Sequence, residues 1–395
     1  MSRRRRVATI ITRLEGGAGV MALRGAQGLD PREFDVTVIT GSGGRLLREA
    51  AEAGLPAVLE PALRAPIAPG HDLRALRRLT ALLRHGEFDV VHTHCAKAGA
   101  LGRIAARRAG AGRIVHSYHG FPFHEFQRAP RRRAYLAVER ALGEVTDVAL
   151  CVGTGVAVEA VRCGLIAPER VRTTGVAVRP VEVRPGHARR ALGLPPAATV
   201  VGAVGRLVYQ KAPEDWVRAL AVLRGPDVIG VWIGDGERAA RVRAAATRLG
   251  VRVELAGDRA DAAELVQAFD VFVQSSRYEG LPLAVVEAMS VEVPVVATAV
   301  NAIGDVVVPG VTGLLVPPAR PDLLGSAVES LLADPGWAAG LAAAARARVA
   351  GVHTEAALAA DLAAAYLPDP VTPPASGAGP PGAVVELPAN IRDLR

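Results

Sequence analysis

Lysine is almost missing from this chain: of its 47 basic residues only Lys97 and Lys211 are not arginine. Arginine's planar fork does not replace a compact ammonium on a flexible stem, so each remaining lysine is a candidate ligand. Aromatic residues are scarce at 4%. That leaves little for base stacking, and with no nucleic-acid motif present it argues against a nucleic-acid partner. Cys95, Cys151 and Cys163 are odd in number and spaced for neither a disulfide framework nor a metal site, so a reducing compartment, the cytoplasm, is expected. No run of about 18 apolar residues occurs, which excludes a spanning helix. Arg3-Arg4-Arg5-Arg6 followed by Val7 to Ile11 has the outline of a signal peptide. The apolar part is too short, and Arg13 and Glu15 close it, so a first strand is expected there instead.

Apolar residues are plentiful, at 50% of 395 residues, which suits two domains of ordinary size. The net charge of +8 is concentrated in the run from Arg3 to Arg6 and in residues 128–133, with Arg128, Arg131, Arg132 and Arg133. Such runs are either simply solvated or dock on an anionic membrane leaflet, at about 1 kcal/mol per charge near the surface. The second reading would place the protein peripherally on the inner face of the membrane.

Along the chain, short apolar runs alternate with helical patterns. Strands are expected over residues 7–12, 34–40, 56–59, 89–92, 113–117 and 147–152, and again over 199–204, 228–233, 251–255, 271–274 and 294–297. Repeated βα units with buried strands indicate α/β architecture with parallel, doubly wound sheets, whose ligands gather at the strands' carboxyl ends. A region rich in proline and arginine, at residues 180–195, reads as the hinge between two such domains. Residues 368–395, beginning PDPVTPPASGAGPPG, have the composition of a disordered linker.

Several strand ends carry chemistry. The first runs into Gly16-Gly17-Ala18-Gly19 before a helix expected from about Val20; such a loop either cradles a phosphate or merely turns tightly. His94 and Lys97 follow the strand at 89–92. The loop 118–124 pools His119, Gly120, Phe121, Phe123 and His124, and no third and fourth ligand stand at zinc spacing. Arg206 and Lys211 leave the strand at 199–204, where two cations suit a diphosphate, a plain surface loop being the alternative. Gly257 and Asp258 end another strand, at a place for backbone contacts to a nucleotide base.

The chain is organised around Ser275 to Met289, SSRYEGLPLAVVEAM. Glu279 falls in the loop after a strand, and Glu287 falls about one turn into the helix that starts behind Pro282. Backbone N–H groups at Gly280 and around Leu283 then face the crevice. Two carboxylates would repel phosphate, so neutral hydroxyls, as on a sugar, are the partners expected. The plainer reading is a surface acid and a solvated helix residue, which the apolar surroundings of Glu287 make costly.

E-G-L-P-L-A-V-V-E-A-M resembles the E-x7-E motif of the family 4 retaining glycosyltransferases. H-T-H-x-x-K-A-G and Y-H-G-F-P-F-H are similar to the acceptor-side half of the same family. The resemblance implies the GT-B fold, with two Rossmann-like domains facing a central cleft. They would be an acceptor-binding domain at 1–185 and a nucleotide-sugar domain at 190–350, with a helix at 351–367 crossing back to the first. It implies transfer of a hexose-type sugar from a nucleotide diphosphate sugar, UDP-linked rather than GDP-linked, to a small-molecule or lipid-linked acceptor, with no cofactor and no metal. Glu287 would hold the ribose and Glu279 the sugar hydroxyls, with Gly280, Leu281 and Leu283 beside the donor. Arg206 and Lys211 would neutralise the leaving diphosphate. Gly16 and Gly17 would lie near the diphosphate, Gly257 and Asp258 near the base, and His119 beside the transferred sugar. His94, Lys97 and Phe121 would line the acceptor side. The leaving phosphate would deprotonate the acceptor, so no protein base is required.

The chain departs from that pattern twice. Glu292 stands where the family has glycine, and Asn301-Ala302-Ile303-Gly304-Asp305 replaces a Gly-Gly before an acid. Two other readings share the architecture: a nucleotide-sugar epimerase or hydrolase, which would consume donor without acceptor, and a non-catalytic nucleotide-sugar-binding protein.

Overall fold

Short runs of β-branched and small apolar residues build two sheets in the computed structural model, which describes residues 3–182, 184, 186–224 and 227–367. The tail 368–395 lies outside the described residues, as do Val183 and Pro185 of the expected hinge. In the first sheet, β1 (Arg5–Ile11), β2 (Phe34–Thr40), β3 (Ala57–Leu59), β4 (Val90–His94), β5 (Arg113–Tyr118), β6 (Val148–Val152) and β7 (Val171–Thr174) lie in the order β3-β2-β1-β4-β5-β6-β7. In the second, β8 (Thr199–Val204), β9 (Val228–Ile233), β10 (Val253–Gly257), β11 (Val271–Gln274), β12 (Val295–Thr298) and β13 (Leu314–Val316) lie in the order β10-β9-β8-β11-β12-β13. Every paired neighbour is parallel. Helices cover both faces of such sheets, so β8, β9 and β11 are apolar nearly throughout instead of alternating.

Each sheet reverses its strand order once, between β1 and β4 in the first and between β8 and β11 in the second. Loops diverge on the two sides of such a reversal and leave a crevice beyond the carboxyl ends. The segments that leave β1, β4, β8 and β11 are the ones the motifs occupy. Two such parallel sheets make the two-domain GT-B architecture.

The last helix, Glu355–Tyr366, returns to the first sheet and packs on the helix Gly16–Gly28. A Cβ on Gly25 would come within 2.6 Å of Leu362 Cδ1, so any larger residue there makes the Leu362 side chain move. Tyr366 is fully buried, and its hydroxyl lies 2.7 Å from His92 Nδ1 of β4.

Some elements differ from the sequence-based expectation. The first helix begins at Gly16 rather than near Val20, so the glycines form its first turn. Gly19 is needed there because a Cβ would lie 2.8 Å from the Leu14 carbonyl carbon. His94 is the last residue of β4, and Lys97 sits in the first turn of the helix Ala96–Ala109. A one-turn helix, His187–Ala191, forms inside the expected hinge. Another, Ile303–Val306, replaces most of the loop expected at 301–305. The edge strand β7 and the helix Pro213–Leu220 are additional to the elements expected from sequence.

Candidate active site

Glu279 sits in the loop behind β11 with 8% of its surface exposed. Burying a carboxylate requires partners, and this one has four. Ser276 Oγ donates to its Oε1 at 2.7 Å, Gln274 Nε2 at 3.4 Å, and Gln210 Nε2 donates to Oε2 at 3.2 Å. Lys211 Nζ lies 2.6 Å from Oε1. The second of the chain's two lysines is thus the counter-ion of the first glutamate in the pair.

The loop that carries Arg206 and Lys211 is fixed from both sides. Trp232 of β9 donates its indole N–H to the Gly205 carbonyl at 2.7 Å, and Ser275 Oγ donates to the Lys211 carbonyl at 2.8 Å. Arg277 donates its backbone N–H to the Gln210 carbonyl, pairs with Asp215 at 2.7 Å and lies over the Tyr209 ring. The Arg206 side chain is exposed, with no ion pair or side-chain hydrogen bond among the described residues. Its charge reaches Cys95 in the first domain, whose thiol burial nevertheless pushes up to about 11.

Glu287 projects from the helix Leu283–Ser290, half-buried. Burial pushes its carboxyl above the ordinary range, and Arg24 of the first domain works against that shift. Arg24 donates to the Ala177 carbonyl and lies 3.6 Å from Glu355. Leu281 is buried, and Leu283 meets the first domain at Gly17, where a Cβ would lie 3.5 Å from Leu283 Cδ1. Gly257 takes a left-handed φ of 71° at the end of β10, and its carbonyl accepts from the Gly234 N–H at 2.7 Å; Asp258 beside it is exposed.

The first domain contributes a row of histidines. His92 bonds Tyr366 and Ser117, Thr93 Oγ1 lies 2.8 Å from His116 Nδ1, and His94 Nδ1 lies 2.9 Å from His119 Nε2. Phe121 packs between Tyr118 and Phe123, with centroids at 5.4 and 4.9 Å. Beneath Tyr118 lies a fully buried ion pair, Arg103 with Glu139 at 2.7 Å. Lys97 does not join this group: its ammonium pairs with Asp72 at 2.5 Å and donates to the Pro66 carbonyl at 3.0 Å. Among the described residues no three His, Cys, Asp or Glu side chains are grouped to hold a metal.

The row has a consequence for stability. Burial lowers His92 to about 3 and His119 to about 4, and takes His94 and His116 well below 6.5. Between pH 6.5 and 4 the unfolded chain binds protons that the folded chain refuses. Stability is therefore intact above pH 6.5 and is lost as pH falls, by up to about 1.4 kcal/mol per pH unit for each histidine. Thermal melts from pH 7.5 to 4.5 should show Tm falling steeply below 6.5; a flat profile would contradict the burial of the row.

The two domains touch beside Glu279. A Cβ on Gly280 would lie 2.4 Å from the His119 carbonyl oxygen, and Gly120 faces it with a left-handed φ of 131°. Tyr278 stacks on His124 with centroids 3.9 Å apart and planes at 9°. Asp305 accepts from the Thr154 N–H at the start of the helix Thr154–Arg162. Both departures from the family pattern fall at left-handed positions, Glu292 with φ 56° and Asn301 with φ 43°. Glycine adopts that conformation freely, whereas another residue loses roughly 1–2 kcal/mol. Asn301 gains in return a side-chain carbonyl oxygen that accepts from the Glu279 N–H at 3.4 Å, and Glu292 pairs with Arg346 at 2.9 Å.

Gln210, Gln274, Ser276 and Arg24 were not legible as site residues, whereas Asn301 stood out only as a departure from the family pattern. Their only signal is adjacency: Gln210 precedes Lys211, and Gln274 and Ser276 flank the end of β11.

Comparison with known proteins agrees with the two-domain fold. The family model for glycosyl transferases group 1 matches residues 187–348, and the model for glycosyltransferase family 4 matches residues 15–179. The UDP-Gal:alpha-D-GlcNAc-diphosphoundecaprenol alpha-1,3-galactosyltransferase of Escherichia coli is 30% identical over 300 residues, covering 73% of this chain and 77% of its own. A D-inositol 3-phosphate glycosyltransferase of Thermobispora bispora is 30% identical over 319 residues, covering 72% and 74%. Among solved structures, Anabaena HepE in complex with UDP and glucose superposes with a TM-score of 0.81 at 21% identity, over 91% of this chain and 99% of that one. WaaG, a glycosyltransferase involved in lipopolysaccharide biosynthesis, gives 0.72 at 18%, over 90% and 99%. On its two matched halves and its relatives, the chain belongs to the family 4 glycosyltransferases, with the GT-B fold.

Proposed function

We propose that this protein transfers a hexose-type sugar from a nucleotide diphosphate sugar to an acceptor hydroxyl, with retention and without a divalent metal. The observation that carries the reading is the Lys211–Glu279 pair at the second sheet's reversal, with the exposed Arg206 beside it. A cation pair at that strand end meets the charge that builds on a leaving diphosphate, where electrostatic stabilisation counts most. Glu279 then takes the sugar's hydroxyls and Glu287 the ribose. Gly280, Leu281 and Leu283 border the donor, Gly16 and Gly17 its diphosphate, and Gly257 and Asp258 its base. His119 stands beside the transferred sugar, with His94 and Phe121 behind it. An anionic acceptor would have to compete with Asp72 for Lys97.

A UDP-sugar is favoured as donor, which the UDP-Gal named for the E. coli relative and the UDP bound in HepE support. The lipid-linked acceptor named for the E. coli relative supports a lipid-linked acceptor here, in cell-envelope glycan synthesis, rather than a secondary metabolite. Residues 128–133 fit docking on an anionic membrane: Arg128, Arg131 and Arg133 are exposed near Phe126 and Val138, themselves 38% and 50% exposed. Arg3 is paired with Asp89, and Arg5 and Arg6 belong to β1, so the N-terminal run is the weaker candidate. Among the described residues no helix is long and apolar enough to cross a membrane.

UDP release should be measured in EDTA with UDP-glucose, UDP-galactose and UDP-GlcNAc, with and without polyprenyl-diphosphate-linked GlcNAc and a panel of soluble alcohols. Acceptor-dependent release and an α-linkage from an α-linked donor are expected. Donor consumption without acceptor would favour the hydrolase or epimerase, and release that needs metal would overturn metal independence.

A further inference from the structure

His94 is 4% exposed at the end of β4, and the mechanism above gives its ring no direct task. Its Nδ1 lies 2.9 Å from His119 Nε2, while the two ring centroids are 5.2 Å apart with planes at 21°. That separation is what remains when each ring's own radius is added to the nitrogen–nitrogen distance. The rings therefore meet edge to edge and nearly coplanar, the geometry of an in-plane N–H···N bond rather than of face stacking.

One proton serves that bond, and a neutral pair can place it in two ways. If His119 Nε2–H donates, His94 must carry its own proton on Nε2. That nitrogen is buried and has no partner. The neighbouring His92 ring, centred 4.1 Å away, offers no acceptor, because both its nitrogens are engaged by Tyr366 and Ser117. If His94 Nδ1–H donates instead, His94 Nε2 is only a bare lone pair. A buried N–H without an acceptor is the rarer and costlier defect.

We propose that His94 is a positioning residue: it donates Nδ1–H to His119 Nε2 and so fixes His119 as the Nδ1–H tautomer, which turns a hydrogen-bond donor toward the sugar cleft. That bond engages His119 Nε2 alone, and no side chain or backbone group among the described residues is bonded to His119 Nδ1. His119 then acts as a donor to a sugar oxygen and does not serve as a base. The proposal rests on the reading of the cleft as the sugar site, but its first test does not.

That test is ¹⁵N NMR of histidine-labelled full-length protein at pH 7.5, with His119 assigned by its loss in His119→Asn. The expected spectrum shows His119 protonated on Nδ1 and bare on Nε2. In His94→Leu the ring is released and shifts toward the Nε2–H form that free imidazole prefers. In His94→Asn the side-chain amide N–H replaces the lost donor and the Nδ1–H form returns. Turnover should fall roughly tenfold in His94→Leu, about the worth of one neutral hydrogen bond, with donor Kd within about twofold, and should recover in His94→Asn. A wild-type His119 protonated on Nε2 overturns the proposal, whatever the variants do. So does a His94→Leu protein with unchanged tautomer and kcat. An intact Nδ1–H signature in a protein that transfers no sugar would refute the functional reading and leave the tautomer assignment standing.

Discussion

Lys211→Met is expected to lower kcat by a factor of about 10²–10³, the usual consequence of removing one preorganised charge or donor aimed at developing negative charge. The ammonium sits 2.6 Å from Glu279 Oε1, in a loop held by Trp232 and Ser275, so it is placed before any donor arrives. The substitution also strands the carboxylate of Glu279 without a cation, and breaking a buried pair from one side costs about 3–5 kcal/mol. Because Lys211 is partly exposed, the lower end applies, and Tm should fall as well. The double variant Lys211→Met/Glu279→Gln separates the two effects. With no stranded charge it should regain much of the lost stability while kcat stays low. Recovery of activity along with stability would reduce Lys211 to a counter-ion of Glu279.

Glu279→Gln should lower kcat by about 10²-fold while raising the donor Kd by no more than about threefold. Interactions that strengthen only in the transition state lower kcat and kcat/KM together and leave ground-state binding nearly intact. The amide keeps the size of the side chain and, with its oxygen in the Oε1 position, can keep the contact to Ser276, although its NH2 then faces the Gln210 donor. What it loses is the charge that orders Lys211 and strengthens hydrogen bonds to the sugar's hydroxyls. Single-turnover kinetics with a saturating donor read kcat apart from binding. An enzyme with normal turnover, or one whose whole defect is weaker binding, would remove Glu279 from the chemistry.

The architecture was legible because buried parallel strands carry continuous apolar runs, and β8, β9 and β11 announce themselves in this way. β7 did not, since Val-Arg-Thr-Thr is a short edge strand with little apolar surface to bury. The helix Pro213–Leu220 does carry a start signal, proline at its first position with Glu214 and Asp215 in the first turn. The glutamate spacing and Lys211 marked the candidate site for chemical reasons: a carboxylate pair and an ammonium that an arginine-rich chain retains.

The pairing of Lys211 with Glu279 could not be read the same way. It exists only because β8 and β11, far apart in sequence, are neighbours in the sheet. Lys97 shows the converse, a rare residue that the fold engages with Asp72. The meaning of Glu292 and Asn301 likewise depended on φ, which residue identity at a loop position does not reveal.

The central claim is a nucleotide-sugar site built on the E-x7-E pair, and calorimetry tests it most directly. UDP- and GDP-linked sugars should be titrated in EDTA into the wild-type protein and into Glu287→Ala. Saturable binding of a UDP-sugar by the wild type, lost in Glu287→Ala while the variant's melting curve stays cooperative, is the predicted result. Binding of no donor by the wild type, or binding undiminished in Glu287→Ala, would contradict it.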